Sequence, residues 1–190
     1  QQETIQEVHD STLINVSKLP TGLYFDMRYA GSNNFLKEKV YPCDNCLLRY
    51  EVAMALKRVS DKLKKENLTL TIFDCFRPIS VQYKMWDILP DSRYVANPHK
   101  KGSVHNRGAA VDLTLSKTDG SLLEMGTDFD FFGKQAHHNY TDLPIHVLEN
   151  RKLLKSVMES EGFKSIATEW WHYVYGEKED YQLSSVDLCE

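Results

Sequence analysis

A single α+β domain, with a central antiparallel sheet flanked by helices, is the architecture this 190-residue sequence predicts. Apolar residues recur at helical spacing in some stretches and alternate with polar residues in others. The two kinds of stretch follow one another without the regular βαβ repetition that builds a parallel sheet. Residues 1–22 read as an exposed leader with one strand-like run from Ser11 to Val16, and residues 23–190 as the domain. Leu48, Val52, Leu56, Val59 and Leu63 share one helical face, so roughly 46–65 is predicted helical, with Lys62, Lys64 and Lys65 where the macrodipole favours cations. Leu68 to Phe73 is a short β run that delivers Asp74 and Arg77 to its end, and Ile79 to Leu89 a second helix. Pro90 to Gly102 is polar and loop-like, suited to the rim of a cleft. Val111-Asp112-Leu113-Thr114-Leu115 alternates as a half-buried strand does, and Lys117-Thr118-Asp119-Gly120 turns out of it. Leu143-Pro144 opens a helix that runs to about Glu161, is closed by Gly162, and has a core face at Val147, Leu154 and Met158. Phe163 to Ile166 then pairs with Trp170 to Tyr175.

Composition is that of an ordinary globular domain, 42% hydrophobic and 26% charged, large enough to bury a core. A net charge of -4 gives no reason to expect nucleic acid or an anionic membrane as partner. No apolar stretch approaches the ~20 residues that span a bilayer. Cys43-x2-Cys46 fits a disulfide, a free dithiol or half of a metal site, and the absence of a second such pair disfavours structural zinc. Cys75 and Cys189 are left open, paired or free. Asn67-Leu68-Thr69 and Asn139-Tyr140-Thr141 match the glycan acceptor pattern, a match too common to weigh much.

The chemistry concentrates in Ser103-Val104-His105-Asn106-Arg107-Gly108-Ala109-Ala110-Val111-Asp112 and in Glu169-Trp170-Trp171-His172. Two imidazoles, one carboxylate and a further free acid are the minimum kit of a catalytic zinc site, which takes three protein ligands and keeps a fourth position for water. His-x6-Asp is a weak signal as spacing, but an aspartate inside an apolar strand needs a partner, and a cation is one of the few that suffices. Parity adds a constraint. Residues seven apart in one strand face opposite sides, so the chain must turn at Asn106-Arg107-Gly108 if His105 and Asp112 are to share a metal. Glu169 and His172, three apart, pose the same problem, which puts Glu169 just before the strand Trp170 to Tyr175.

With these motifs the chain resembles the D-alanyl-D-alanine dipeptidases of the VanX type. They belong to a wider group of zinc peptidases with D-alanyl-D-alanine carboxypeptidases, certain murein endopeptidases and the hedgehog signalling domain. The resemblance spans Asp26-Met27-Arg28-Tyr29, Asp74-Cys75-Phe76-Arg77-Pro78, Ser103 to Leu115, Met125 to Phe131 and Glu169 to Tyr173, five motifs in the family's order. It implies a hedgehog-like fold, one zinc ion per chain on His105, Asp112 and His172, Glu169 as general base and Arg77 as the cation that stabilises the transition state. It also implies that Tyr29, Ser103 and Asp130 hold the dipeptide, with Asp130 against its free ammonium, and Asp74, an acid near Arg77, is grouped with these substrate-binding residues. Val104, Cys75 and the Cys43/Cys46 pair depart from the family pattern without touching an implied ligand.

Bland readings stand beside these. Arg77 can be a salt-bridge partner of Asp74, Asp130 a turn residue between core phenylalanines, and Tyr29 and Ser103 purely structural. His137-His138 reads as a structural pair. Trp170 and Trp171 are expected to wall the site on one side and fill the core on the other. The function expected is zinc-dependent hydrolysis of D-alanyl-D-alanine, the alternative being a related D,D-carboxypeptidase or endopeptidase acting on longer murein peptides. An inactive binding module is disfavoured by the presence of both Glu169 and Arg77. The chain opens Gln1-Gln2-Glu3-Thr4 without Met. With a cell-wall substrate implied, this is read as a removed signal peptide, hence an exported bacterial protein, periplasmic or extracellular.

Overall fold

The structure, a computed structural model, describes residues 12–177 and 181–189. Its strands are β1 (Leu13–Asn15), β2 (Tyr24–Phe25), β3 (Leu47–Arg49), β4 (Leu68–Asp74), β5 (Ala110–Lys117), β6 (Phe163–Ile166) and β7 (Glu169–Tyr175). Its helices are α1 (Tyr50–Leu63), α2 (Ile79–Ile88) and α3 (Ile145–Glu159). The main sheet has the order β2-β4-β5-β7-β6 and is antiparallel except where β2 runs parallel to β4; β1 and β3 form a separate antiparallel pair. This is the α+β class expected, with one parallel edge that the sequence did not announce.

Of the expected leader 1–22, residues 1–11 lie outside the described residues. The remainder is built into the domain, because β1 pairs with β3 and Val16 is fully buried. The first helix begins at Tyr50, not near 46, since Leu47 and Leu48 are spent on β3. A run of apolar residues there suits a buried strand and a helix face equally, and pairing decides. The α2, α3 and β6–β7 expectations hold to within two residues at every boundary, β7 starting one residue early, at Glu169.

Alternation gives the sheet two faces. Val111, Leu113 and Leu115 of β5 lie with Leu70 and Ile72 of β4 in one apolar core, against which α1 packs on β4 and α3 on β5, β6 and β7. Val52, Leu56, Val59 and Leu63 of α1 and Val147, Leu154 and Met158 of α3 are all buried, each fully buried Leu or Val stabilising the fold by about 1.5–3 kcal/mol. The opposite face carries Asp112, Thr114, Ser116, Thr69 and Thr71, with Thr71 Oγ1 and Ser116 Oγ 2.5 Å apart.

A bulge decides which face Asp74 joins. Ile72 is paired with Leu113, but the next pair is Asp74 with Asp112, so Phe73 is the extra residue. That one insertion shifts Asp74 from the face of Leu70 and Ile72 to the face of Asp112, as bulges near sites do.

Four cysteines form two disulfides, Cys43–Cys189 and Cys46–Cys75. The two members of the C-x2-C pair thus bond outward to different segments, one to the C-terminal tail and one to the end of β4.

Candidate active site

His105 sits on a 3-10 turn, Val104–Arg107. Ser103 Oγ accepts from the His105 amide at 3.2 Å, and Asn106 Oδ1 accepts from the Ser103 amide at 2.7 Å, a reciprocal cap that holds the turn rigid. Gly108 ends it at φ 73°, a conformation that favours glycine, and a Cβ there would press to 2.5 Å from Leu13 Cδ2. This is the turn that parity demanded. Beyond it β5 begins, and Asp112 is paired across the sheet with His172 of β7, which puts both on one face.

The three side chains converge. His105 Nε2 lies 3.3 Å from His172 Nδ1 and 3.4 Å from Asp112 Oδ2, and His172 Nδ1 lies 2.8 Å from Asp112 Oδ1. Tetrahedral zinc with ligands at about 2.0–2.1 Å has ligand–ligand edges of about 3.3 Å, so the donor set is preformed for such an ion. His105 Nδ1 bonds the Cys75 carbonyl at 2.8 Å, which fixes the ring and leaves Nε2 for the centre. Burial disfavours charge on His105, yet Asp112 and Asp74 outweigh it and raise its pKa to about 9. Burial likewise works against the Asp112 carboxylate, but the two imidazoles win and hold it well below the usual range. The field at this point favours positive charge, which is what a cation site requires.

The other sequence-predicted residues surround a cavity of about 360 Å³, lined among others by Tyr29, Arg77, Ser103, His105, Asp112, Asp130, Glu169, Trp171 and His172. That volume is at the small end of ligand sites, which run from roughly 300 to 1,000 Å³. Glu169 is the first residue of β7 and not ahead of it; the pairing of β6 and β7 shifts register between Ser165 and Ile166, and this irregularity resolves the parity problem. Its carboxylate is 3.9 Å from His172 Nδ1 but stands outside the cluster that His105, Asp112 and His172 form, and burial raises its pKa. Trp171 lines the cavity while Trp170 packs away from it, donating to Thr127 Oγ1 at 2.7 Å.

Arg77 is both a salt-bridge partner and a cavity residue. Nη2 bonds Asp74 Oδ2 at 2.6 Å, Nη1 bonds Gln82 Oε1 at 3.0 Å and Nε bonds the Tyr41 hydroxyl at 3.2 Å. Of five guanidinium N–H groups, these bonds use three. Asp74 does not line the cavity, which corrects its grouping with the substrate-binding residues. Fully buried, it accepts from Tyr41, from the Cys75 amide and from Arg77, and stands 3.6 Å from His105 Nδ1, so it supports the site from behind.

Asp130 takes a left-handed φ of 58°, strain of the kind found at functional positions. Its Oδ2 accepts from the Tyr29 hydroxyl at 2.6 Å. Burial pushes its pKa well above the usual carboxylate range even against that bond. His137 and His138 stay apart from the converging cluster, as expected; His138 donates its amide to Ala167 and His137 offers its carbonyl to Arg151. Tyr41 and Gln82 stand in no motif; Asn106, expected only as part of a turn, also holds the Arg77 carbonyl at 2.7 Å through Nδ2.

Residues 9–187 match the profile of the D-ala-D-ala dipeptidase family, peptidase family M15. The chain is 32% identical to the D-alanyl-D-alanine dipeptidase of Escherichia coli K12 over 171 residues, 90% of this chain and 88% of that one. It is 31% identical to the D-alanyl-D-alanine dipeptidase of Enterococcus faecium over 187 residues, 88% and 92% of the two chains. Among solved structures it aligns with a vancomycin-resistance D,D-pentapeptidase, VanY, in complex with Zn(II), at 14% identity and a TM-score of 0.47, covering 73% of this chain and 78% of that one. By the profile and by these relatives, the chain is a peptidase and belongs to the D-ala-D-ala dipeptidase family of M15 peptidases.

Proposed function

We propose that the protein is a zinc-dependent dipeptidase that hydrolyses D-alanyl-D-alanine in an oxidising compartment outside the bacterial cytoplasm, with Glu169 as general base. The observation that carries the reading is the His105–Asp112–His172 triangle, whose edges of 2.8 to 3.4 Å suit tetrahedral zinc, with Glu169 close by but outside the ligand set. Zinc held there would supply a Lewis acid for the peptide carbonyl and a water acidified to a pKa of about 7. Glu169 accepts the proton of the attacking water and delivers it to the leaving nitrogen, and its raised pKa suits a group that must do both. Arg77, clamped by Asp74, Gln82 and Tyr41, offers its remaining N–H groups to the charge that develops on the carbonyl oxygen.

The dipeptide's ammonium end falls to Asp130. A half-buried carboxylate held by one phenol, with no ion-pair partner among the described residues, is a poor solution alone and a good one beside an ammonium. Tyr29 fixes the orientation of that carboxylate, and Ser103 lines the same cavity at the His105 turn. Two buried disulfide-bonded cysteines, Cys46 and Cys75, and the second bridge at Cys43–Cys189 support an oxidising compartment.

The test is hydrolysis of D-Ala-D-Ala against its N-acetylated form, with metal content measured on the same sample. Expected are one zinc per chain, loss of turnover on chelation with recovery on adding zinc, and strong preference for the free amine. Equal turnover of both substrates would replace the dipeptidase with the related carboxypeptidase or endopeptidase acting on longer murein peptides.

A further inference from the structure

Arg151 of α3 is a buried cation with no charge partner among the described residues. It is 5% exposed, no carboxylate among the described residues lies within ion-pair distance, and burial depresses its pKa. Keeping a guanidinium there is costly, so what it bonds is informative. Nε donates to the Met125 carbonyl at 2.7 Å and Nη1 to the His137 carbonyl at 3.3 Å. Its guanidinium also lies 5.9 Å from the centre of the Trp170 ring. Met125 and His137 are the two ends of one loop, and the residues between them include Asp130.

The rest of the loop is anchored around that neck. Trp170 Nε1 holds Thr127 Oγ1 at 2.7 Å, Phe129 packs between Phe73 and Trp171 at ring separations of 5.0 and 5.7 Å, and the His138 amide bonds the Ala167 carbonyl at 3.0 Å. Asp130 itself is strained at φ 58°, a conformation that persists only when its surroundings over-determine it. Two carbonyls meeting one side chain call for the planar fork of arginine; a lysine ammonium can reach one well.

We propose that Arg151 is a positioning residue for substrate recognition: it clasps the neck of loop 126–136 so that Asp130 is held at the ammonium end of the cavity. The proposal rests on the reading of Asp130 as the partner of the substrate ammonium. That contact is remote from the scissile bond and is made equally before and during reaction, so loosening it raises KM and spares kcat.

The test is steady-state kinetics on D-Ala-D-Ala for Arg151→Met, Arg151→Lys and Asp130→Asn, with bound zinc and the urea midpoint measured on each. Expected for Arg151→Met is a KM raised by about tenfold or more with kcat and zinc content close to the parent, since small misplacements of binding groups are costly. The preference over N-acetyl-D-Ala-D-Ala should fall in step. Arg151→Lys, which keeps one carbonyl bond, should lie between, and it carries the test should the Met variant not fold. An unchanged KM in both variants with only a lowered urea midpoint overturns the clasp, as does a fall in kcat with KM unchanged. If Asp130→Asn raises KM while the Arg151 variants do not, the clasp fails and the ammonium reading stands. An unchanged KM in Asp130→Asn overturns the ammonium reading itself.

Discussion

Replacing Arg77 by lysine separates the two roles that its geometry joins. The guanidinium makes three side-chain bonds, to Asp74, Gln82 and Tyr41, from a position 7% exposed. An ammonium keeps the positive charge and can retain the ion pair with Asp74, but a compact group cannot reach the other two acceptors as well. Two lost bonds at about 1 kcal/mol each, plus the cost of leaving Gln82 and Tyr41 under-satisfied, put the destabilisation at about 2–3 kcal/mol. The carbonyl oxygen loses its directed donors at the same time, and loss of one such donor costs about 10²–10³ in kcat. Urea denaturation followed by tryptophan fluorescence gives the first quantity, and initial rates on D-Ala-D-Ala at concentrations where the variant is fully folded give the second. Bound zinc should be unchanged. If the variant loses the stability but keeps the parent kcat, Arg77 is a structural salt-bridge residue and its catalytic assignment is wrong.

Glu169→Gln should retain zinc and lose about 10²–10⁴ in kcat. In the parent, the rate should fall as pH drops through a carboxyl pKa above the ordinary value, because burial raises it and the protonated form cannot accept a proton; a glutamine variant that kept both rate and acid limb would refute the assignment. His138, whose pKa burial lowers to about 4, refuses a proton that the unfolded chain takes up below about 6.5. Stability should therefore rise with pH between those values and be lost as pH falls, by about 1–2 kcal/mol after allowing for its partial exposure; urea midpoints of the parent and His138→Gln should diverge across that window. Removing the Cys43–Cys189 bridge, which spans 146 residues, should cost more stability than removing Cys46–Cys75, which spans 29: about 5 against about 3.5 kcal/mol on chain entropy. Zinc affinity should follow the opposite order, since the Cys75 carbonyl orients His105, and parallel losses in the two readouts would count against that coupling.

What the sequence made legible was chemistry with a local signature. His105, Asp112, His172 and Glu169 stand in short motifs, and parity alone required the turn at Gly108. The amphipathic faces of α1 and α3 were likewise legible, because their apolar residues repeat at helical spacing. What pairing decides was not. Leu47 and Leu48 fit a helix face as well as a strand, the bulge at Phe73 that carries Asp74 across the sheet leaves no trace in composition, and the start of β7 depends on a register shift within the β6–β7 hairpin. Disulfide connectivity is equally silent, for four cysteines allow three pairings and spacing does not choose. Tyr41 and Arg151 act through contacts with segments well separated from them in sequence, and nothing around them or Gln82 is distinctive as text.

The place of Asp74 ties together two parts of the active site that chemistry treats as separate. One carboxylate grips the guanidinium at 2.6 Å and stands 3.6 Å behind the imidazole of His105. Substitutions at positions 77 and 105 are therefore epistatic: a double variant should deviate from the sum of its singles, and the deviation should vanish in an Asp74→Asn background. A lineage could not drift at one of these positions without the other feeling the change.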